Sequence, residues 1–271
     1  MHAHHLARVP LLLSLAFCVS AAELTFEDVA FTARCDGSEQ RYVLGLPATQ
    51  ETGQPRDALI ALHGHGSDRW QFVREERGEC AAPRHIAQER GMIFISPDYR
   101  AKTSWMGPKA EADLLQIMEE VREKYDVARF FICGGSMGAS SALTFAALHP
   151  DLFAGVAAMN GTANHLEYEN YQDAIQESFG GTKAEIPEEY KKRSAEYWPE
   201  RFTMPLAMSL SGQDKAVPPE SSLRLADVLQ KMDRKVLVIF REEQGHFSTY
   251  EDTRALVEYI LAQADAIASE P

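Results

Sequence analysis

Short apolar runs, each followed by an amphipathic stretch, recur along this 271-residue chain, and that alternation narrows its fold more than any other feature. Ala58–Leu62, Met92–Ser96, Phe130–Cys133, Gly155–Met159, Leu206–Leu210 and Val236–Phe240 are strand candidates, and several are apolar on consecutive residues. A strand reads that way when both of its faces are buried, as in a parallel sheet covered by helices. Arg41–Leu46 precedes them as a seventh. Helices are predicted over Pro83–Glu89, Ala110–Lys124, Met137–Leu148, Pro219–Met232 and Thr249–Asp265. In the second, Leu114, Leu115, Met118 and Val121 share one face, and acids occupy the other. Strand then helix, repeated, predicts an α/β fold: a mostly parallel central sheet with helices on both faces. Functional groups in such sheets gather on loops beyond the carboxyl ends of the strands. Residues 163–203 break the alternation. They hold no clear strand but carry Tyr168, Tyr171, Phe179, Tyr190, Tyr197 and Trp198, and are expected to form a helical insertion over that same edge, with a plain surface excursion as the alternative.

Residues 1–22 are expected to be a secretory signal peptide. Arg8 precedes the apolar run from Val9 to Val19, and Ser20-Ala21-Ala22 supplies a small-residue cleavage zone. The run is short for a bilayer span. Cleavage near Ala22 would leave 23–271 as a single domain, secreted or periplasmic and free of the membrane. Lys and Arg total 27 against 40 Asp and Glu, a net charge of −13, so no basic face for nucleic acid is visible. Cys18 would leave with the leader, and Cys133 lies in an apolar run and reads as a buried thiol. Cys35 and Cys80 remain as a possible disulfide in an oxidising compartment, which spacing alone leaves open. Oligomeric state is not legible.

The motif that carries chemistry is Gly134-Gly135-Ser136-Met137-Gly138, set between a strand and a helix. A serine in such a turn is held in a strained conformation that requires small neighbours, which Gly134, Gly138 and Ala139 supply. It also stands at a helix N-terminus, where amide donors favour developing negative charge. A serine nucleophile needs a base and a group that orients the base. His246 lies in Gln244-Gly245-His246-Phe247 after the strand Val236–Phe240, and Asp214 lies in Ser211-Gly212-Gln213-Asp214 after Leu206–Leu210. Glu242 and Glu243 are rival acids on the histidine's own loop. His149 and His85 read as structural, and His165 opens the insertion. The loop His63-Gly64-His65-Gly66-Ser67 follows Ala58–Leu62, and its small residues let a backbone amide approach a carbonyl oxygen. The amides of Met137 and His65 are the expected oxyanion hole, with His63 anchoring the loop. His63, His65 and Asp68 loosely suggest a ligand cluster, but a metal site wants three or four ligands and no second histidine cluster completes one, so no metal is expected. Trp105, on the loop after Met92–Ser96, either offers an aromatic surface to substrate or packs under the helix Ala110–Lys124.

Taken together, these residues resemble the α/β-hydrolases, and more narrowly the esterase and prolyl-oligopeptidase-like catalytic domains of the S9 peptidase type. The order Ser136, Asp214, His246 is that of the superfamily. The likeness runs from about Arg56 to Ala262. It includes Pro187-Glu188-Glu189-Tyr190-Lys191-Lys192-Arg193-Ser194, Met204-Pro205 and Gly212-Gln213-Asp214-Lys215-Ala216-Val217-Pro218-Pro219. It implies a hydrolase without cofactor, acting through Ser136, Asp214 and His246. Two departures stand against a peptidase: Met137 follows the serine where the peptidases favour an aromatic, and only about thirty mature residues precede the core, too few for a propeller domain. The expectation is an exported serine esterase acting on a small-molecule or carbohydrate-linked ester. A peptidase of short peptides and a binding module that lost activity are the alternatives.

Overall fold

The computed structural model describes residues 23–48 and 55–269. The expected leader, with Cys18, lies outside them. Eight strands form one sheet: β1 (Leu24–Thr32), β2 (Glu39–Pro47), β3 (Arg56–Leu62), β4 (Ile93–Pro97), β5 (Val127–Gly135), β6 (Phe153–Met159), β7 (Leu206–Ser211) and β8 (Val236–Arg241). Their order across the sheet is β1-β2-β4-β3-β5-β6-β7-β8. From β4 to β8 every neighbouring pair is parallel, while β1 and β2 form an antiparallel edge beside β4. This is the α/β-hydrolase fold.

Two apolar layers cover the sheet. On one face, after the short helix α1 (Gln71–Arg74), α2 (Gly78–Glu89) and α8 (Tyr250–Ser269) bury Cys80, Ile86, Leu256 and Ile260 against Leu59, Phe131 and Cys133. On the other, α3 (Pro108–Tyr125), α4 (Met137–Leu148) and α7 (Glu220–Lys231) pack Leu114, Ile117, Leu143, Leu225 and Leu229 against Ile60, Ile132 and Val156. Burial on both faces explains the consecutive apolar residues of the central strands, such as Ala58–Leu62 and Phe130–Cys133. Among the described residues no helix is long and apolar enough to cross a membrane.

The structure adds to the sequence reading of the fold at several points. Strand β1 was not anticipated: it is an edge strand with no fully buried residue, so it lacks a strong apolar pattern. Helix α2 begins at Gly78, five residues before Pro83, rather than at the proline. Cys35 and Cys80 do not pair. Cys80 is buried on the inner side of α2, against one face of the sheet, whereas Cys35 is exposed, with the Arg100 guanidinium 3.1 Å from its sulfur and Asp113 of α3 nearby.

The segment 163–203 contains α5 (Gln172–Phe179), α6 (Pro187–Lys192) and two 3-10 turns, Ala195–Tyr197 and Pro199–Arg201. It is clamped down. Arg193, with a side chain 1% exposed, donates to the carbonyl of Met106 (2.7 Å), to Glu111 of α3 (2.8 Å) and to Glu189 (2.6 Å). Burial alone would raise the Glu111 carboxyl, but a hydrogen bond from His149 and the charge of Arg193 outweigh it and hold Glu111 at about 2.

Candidate active site

Strand β5 ends at Gly135 and α4 begins at Met137, leaving Ser136 between them with φ 59° and ψ −120°. Both sides pin it there. Its N–H donates to the Met159 carbonyl (2.8 Å), and its own carbonyl accepts from the Ser140 N–H (3.0 Å). The turn closes only because its glycines lack side chains. A Cβ on Gly138 would lie 2.0 Å from the Leu62 carbonyl oxygen, and one on Gly134 would lie 2.4 Å from the backbone of Gly138.

His246 and Asp214 arrive on the loops beyond β8 and β7. The His246 Nδ1 lies 2.6 Å from Asp214 Oδ2, and its Nε2 lies 2.9 Å from Ser136 Oγ. With Nδ1–H donating to the carboxylate, Nε2 is left to accept the serine hydroxyl proton. Asp214 is oriented in turn: its other oxygen accepts the N–H groups of Ala216 (2.9 Å) and Val217 (2.8 Å), and its side chain is wholly buried. The rival acids Glu242 and Glu243 are exposed and make no hydrogen bond to His246. Beneath the histidine loop, Ser248 bonds to Ser209 (2.8 Å) and receives the Asn160 amide (3.1 Å), tying it to the ends of β6 and β7.

The loop after β3 comes up beside the serine. A Cβ on Gly64 would stand 3.8 Å from the Cβ of Ser136. The Gly64 N–H is taken by the Gln71 side chain (2.7 Å) and that of Gly66 by the Lys102 carbonyl (2.7 Å). Between them, the His65 N–H has no acceptor among the described residues, and neither has that of Met137 at the start of α4. His63 is buried with its ring nitrogens 2.9 Å and 3.3 Å from the carbonyls of Gly64 and Asp98, and burial lowers its pKa. It anchors the loop from below.

Trp105 requires a correction. It is 0% exposed, so substrate has no access to its ring. Backbone φ values of 45° at Trp105 and 58° at Met106 turn the side chain inward, where its Nε1–H donates to His65 Nδ1 (3.2 Å). The indole packs against His65, His165, Tyr168 and Tyr171. The exposed ring of this cluster is that of Tyr171, in the insertion, 42% exposed with its centroid 4.4 Å from that of His65. Trp105 thus supports the ring pair that faces solvent. Sequence reading placed Tyr171 in the insertion but assigned it no role. Phe247, 53% exposed, flanks His246. Two other histidines are structural: His165 is buried against Thr144, and His149 pairs with Glu111.

A family model described as the prolyl oligopeptidase family matches residues 84–264, about two thirds of the chain. No curated protein matches. Among solved structures, a Staphylococcus aureus fluorophosphonate-binding serine hydrolase F superposes with a TM-score of 0.71 at 18% identity, over 88% of this chain and 99% of that one. A ferulic acid esterase superposes with a TM-score of 0.67 at 15% identity, over 91% and 99%. Puromycin hydrolase gives 0.71 at 17% identity over 90% of this chain, which spans only 40% of that enzyme. At such identities the likeness is one of fold.

Proposed function

The chain belongs to the prolyl oligopeptidase family of serine hydrolases, and from that premise we propose that it cleaves carboxylic esters by two-step acyl transfer, with Ser136, His246 and Asp214 as its catalytic residues. His246 accepts the Ser136 proton as Oγ attacks the ester carbonyl. The N–H groups of Met137 and His65 receive the oxyanion, and Asp214 fixes the tautomer of His246 and balances its charge as an imidazolium. The protonated ring then passes its proton to the departing alcohol, and a water activated in the same way frees the acid. The observation that carries this reading is the hydrogen-bond chain from Asp214 through His246 to Ser136, at 2.6 and 2.9 Å. The unoccupied His65 amide supports it, since both neighbouring amides are engaged. Losing one such donor typically costs about 3 kcal/mol of transition-state stabilisation.

The preference for esters over peptides rests on two supports. Met137 follows the nucleophile where the peptidases of the family favour an aromatic. The exposed rings of Tyr171 and Phe247 suit small aromatic or carbohydrate-linked esters in an open site. The leader-like residues 1–22 support action outside the cytoplasm. The test is a panel of short acyl and aryl esters beside proline-containing peptides, run on the protein and on Ser136→Ala, with fluorophosphonate labelling. Ester turnover that vanishes in Ser136→Ala is expected. Faster peptide cleavage would replace the ester reading with a peptidase, and an unlabelled Ser136 would leave a binding module.

A further inference from the structure

Acyl transfer as derived above leaves one acidic side chain beside the nucleophile without a task. Glu79 stands in the first turn of α2, and α2 is pressed against the start of α8: a Cβ on Gly78 would lie 2.2 Å from the backbone nitrogen of Tyr250. That docking carries Glu79 to the serine turn. Its carboxyl carbon and Oε2 lie 3.4 and 3.5 Å from the point where Gly135, the residue before Ser136, would bear a Cβ. A Cβ at 135 would stand in ordinary van der Waals contact with the carboxylate, so Glu79 lies directly beside the serine turn.

The charge of Glu79 is only partly answered. Among the described residues its one ion-pair partner is Arg77 at 3.2 Å, and Arg77 also pairs with Glu75 at 2.6 Å. One guanidinium, 55% exposed, therefore serves two carboxylates, and a negative charge remains. The Glu79 side chain is 17% exposed, and beyond that ion pair nothing among the described residues donates a hydrogen bond to it. Burial raises its pKa, against the pull of Arg77 and of His246, whose charge it feels. A partly dehydrated carboxylate gains most from a cation that replaces its lost water. An acid in the first turn of a helix also favours the dipole, but that role asks only for a place on the helix, not for burial against Gly135.

We propose that Glu79 is a specificity-determining residue that selects substrates carrying a cationic nitrogen within a few bonds of the scissile carbonyl. The proposal rests on the acyl-transfer reading and adds the charge of the substrate to it. The cation sits beside Ser136 on the side of α2 and α8, opposite the aromatic wall of Tyr171 and His65.

Two isosteric ester pairs test it at pH 7. Ethyl alaninate against ethyl isobutyrate exchanges an ammonium for a methyl in the acyl part. 2-(Trimethylammonio)ethyl acetate against 3,3-dimethylbutyl acetate does the same in the alcohol. The readout is the ratio of kcat/KM for the charged and neutral member of each pair. The wild type should prefer the charged member of at least one pair, and Glu79→Gln should reduce that ratio about tenfold. Glu76→Gln removes an equal charge from a side chain that is 78% exposed and paired with Arg84, and should leave the ratio alone. If Glu79→Gln loses its native melting transition, Glu79→Asp is read instead, where withdrawing the carboxylate by one methylene should cut the ratio at least by half. No preference in the wild type, or a preference untouched at position 79, overturns the proposal. Failure of the acyl-transfer reading looks different: neutral-ester turnover would then survive Ser136→Ala.

Discussion

Replacing Ser136 by glycine should make the protein more stable than replacing it by alanine, although glycine is ordinarily the worse choice. At φ 59° and ψ −120°, Ser136 lies outside the left-handed well that other non-glycine residues reach. A side chain held in such a region costs about 1–3 kcal/mol. The hydrogen bonds of its backbone to Met159 and Ser140 prevent relaxation. Alanine keeps the Cβ and so keeps the strain, while glycine removes it at about 0.5–1 kcal/mol of extra unfolded-chain entropy. Both variants lose the hydroxyl and its bond to His246, so that loss cancels in the comparison. The balance favours Ser136→Gly over Ser136→Ala by about 1 kcal/mol, or a melting temperature higher by about 2–4 °C in a domain of this size. Urea and thermal unfolding of the two proteins, both expected to be inactive, would measure it. An alanine variant equal to or more stable than the glycine variant would refute the argument that the turn stores strain in its serine.

Trp105→Ala should cost about 3–5 kcal/mol of stability, because the ring is wholly buried, and should lower kcat/KM by a similar factor for acetyl and bulky esters. A selective loss on bulky esters with an unchanged melting temperature would mean that substrate does reach the indole. Glu111 gives a pH prediction with a definite sign. Its pKa in the folded protein, about 2, lies below the usual carboxylate value, so its contribution is present above about pH 4.5 and is lost as pH falls toward 2. The full contribution is at most about 3 kcal/mol, and the stability gap between wild type and Glu111→Gln should narrow across that range. A gap that stays constant from pH 5 to pH 2.5 would show that Arg193 and His149 do not hold the carboxylate as described.

How far the site could be read in the sequence follows from how each residue is placed. Ser136, Asp214 and His246 each come soon after a strand whose apolar run is unmistakable, so locating β5, β7 and β8 locates them as well. Parallel strands point their carboxyl ends the same way, and the three loops must then share an edge. The amide of His65 is reached by the same logic through β3. Trp105 shows the limit: the strand before it gives the loop, but not the direction of a side chain within it, which two consecutive positive φ values decide. Spacing likewise carries no geometry for Cys35 and Cys80, whose separation depends on which face of the sheet each segment covers.

Glu79 and Tyr171 lie beyond sequence reading for a further reason. Neither follows a strand of the sheet directly, and each reaches Ser136 or His65 only through tertiary docking, α2 against α8 in one case and the insertion against the Trp105 loop in the other. The contact of Gly107 with Ser178 shows how close that second docking is, since a Cβ on Gly107 would lie 2.0 Å from the Ser178 carbonyl oxygen. The division has a physical basis. Acyl-transfer groups need fixed mutual distances, which strand ends in one sheet provide directly. Groups that choose among substrates can be carried by the helices and loops packed around that sheet, where sequence can change without disturbing the hydrogen-bond chain from Asp214 to Ser136.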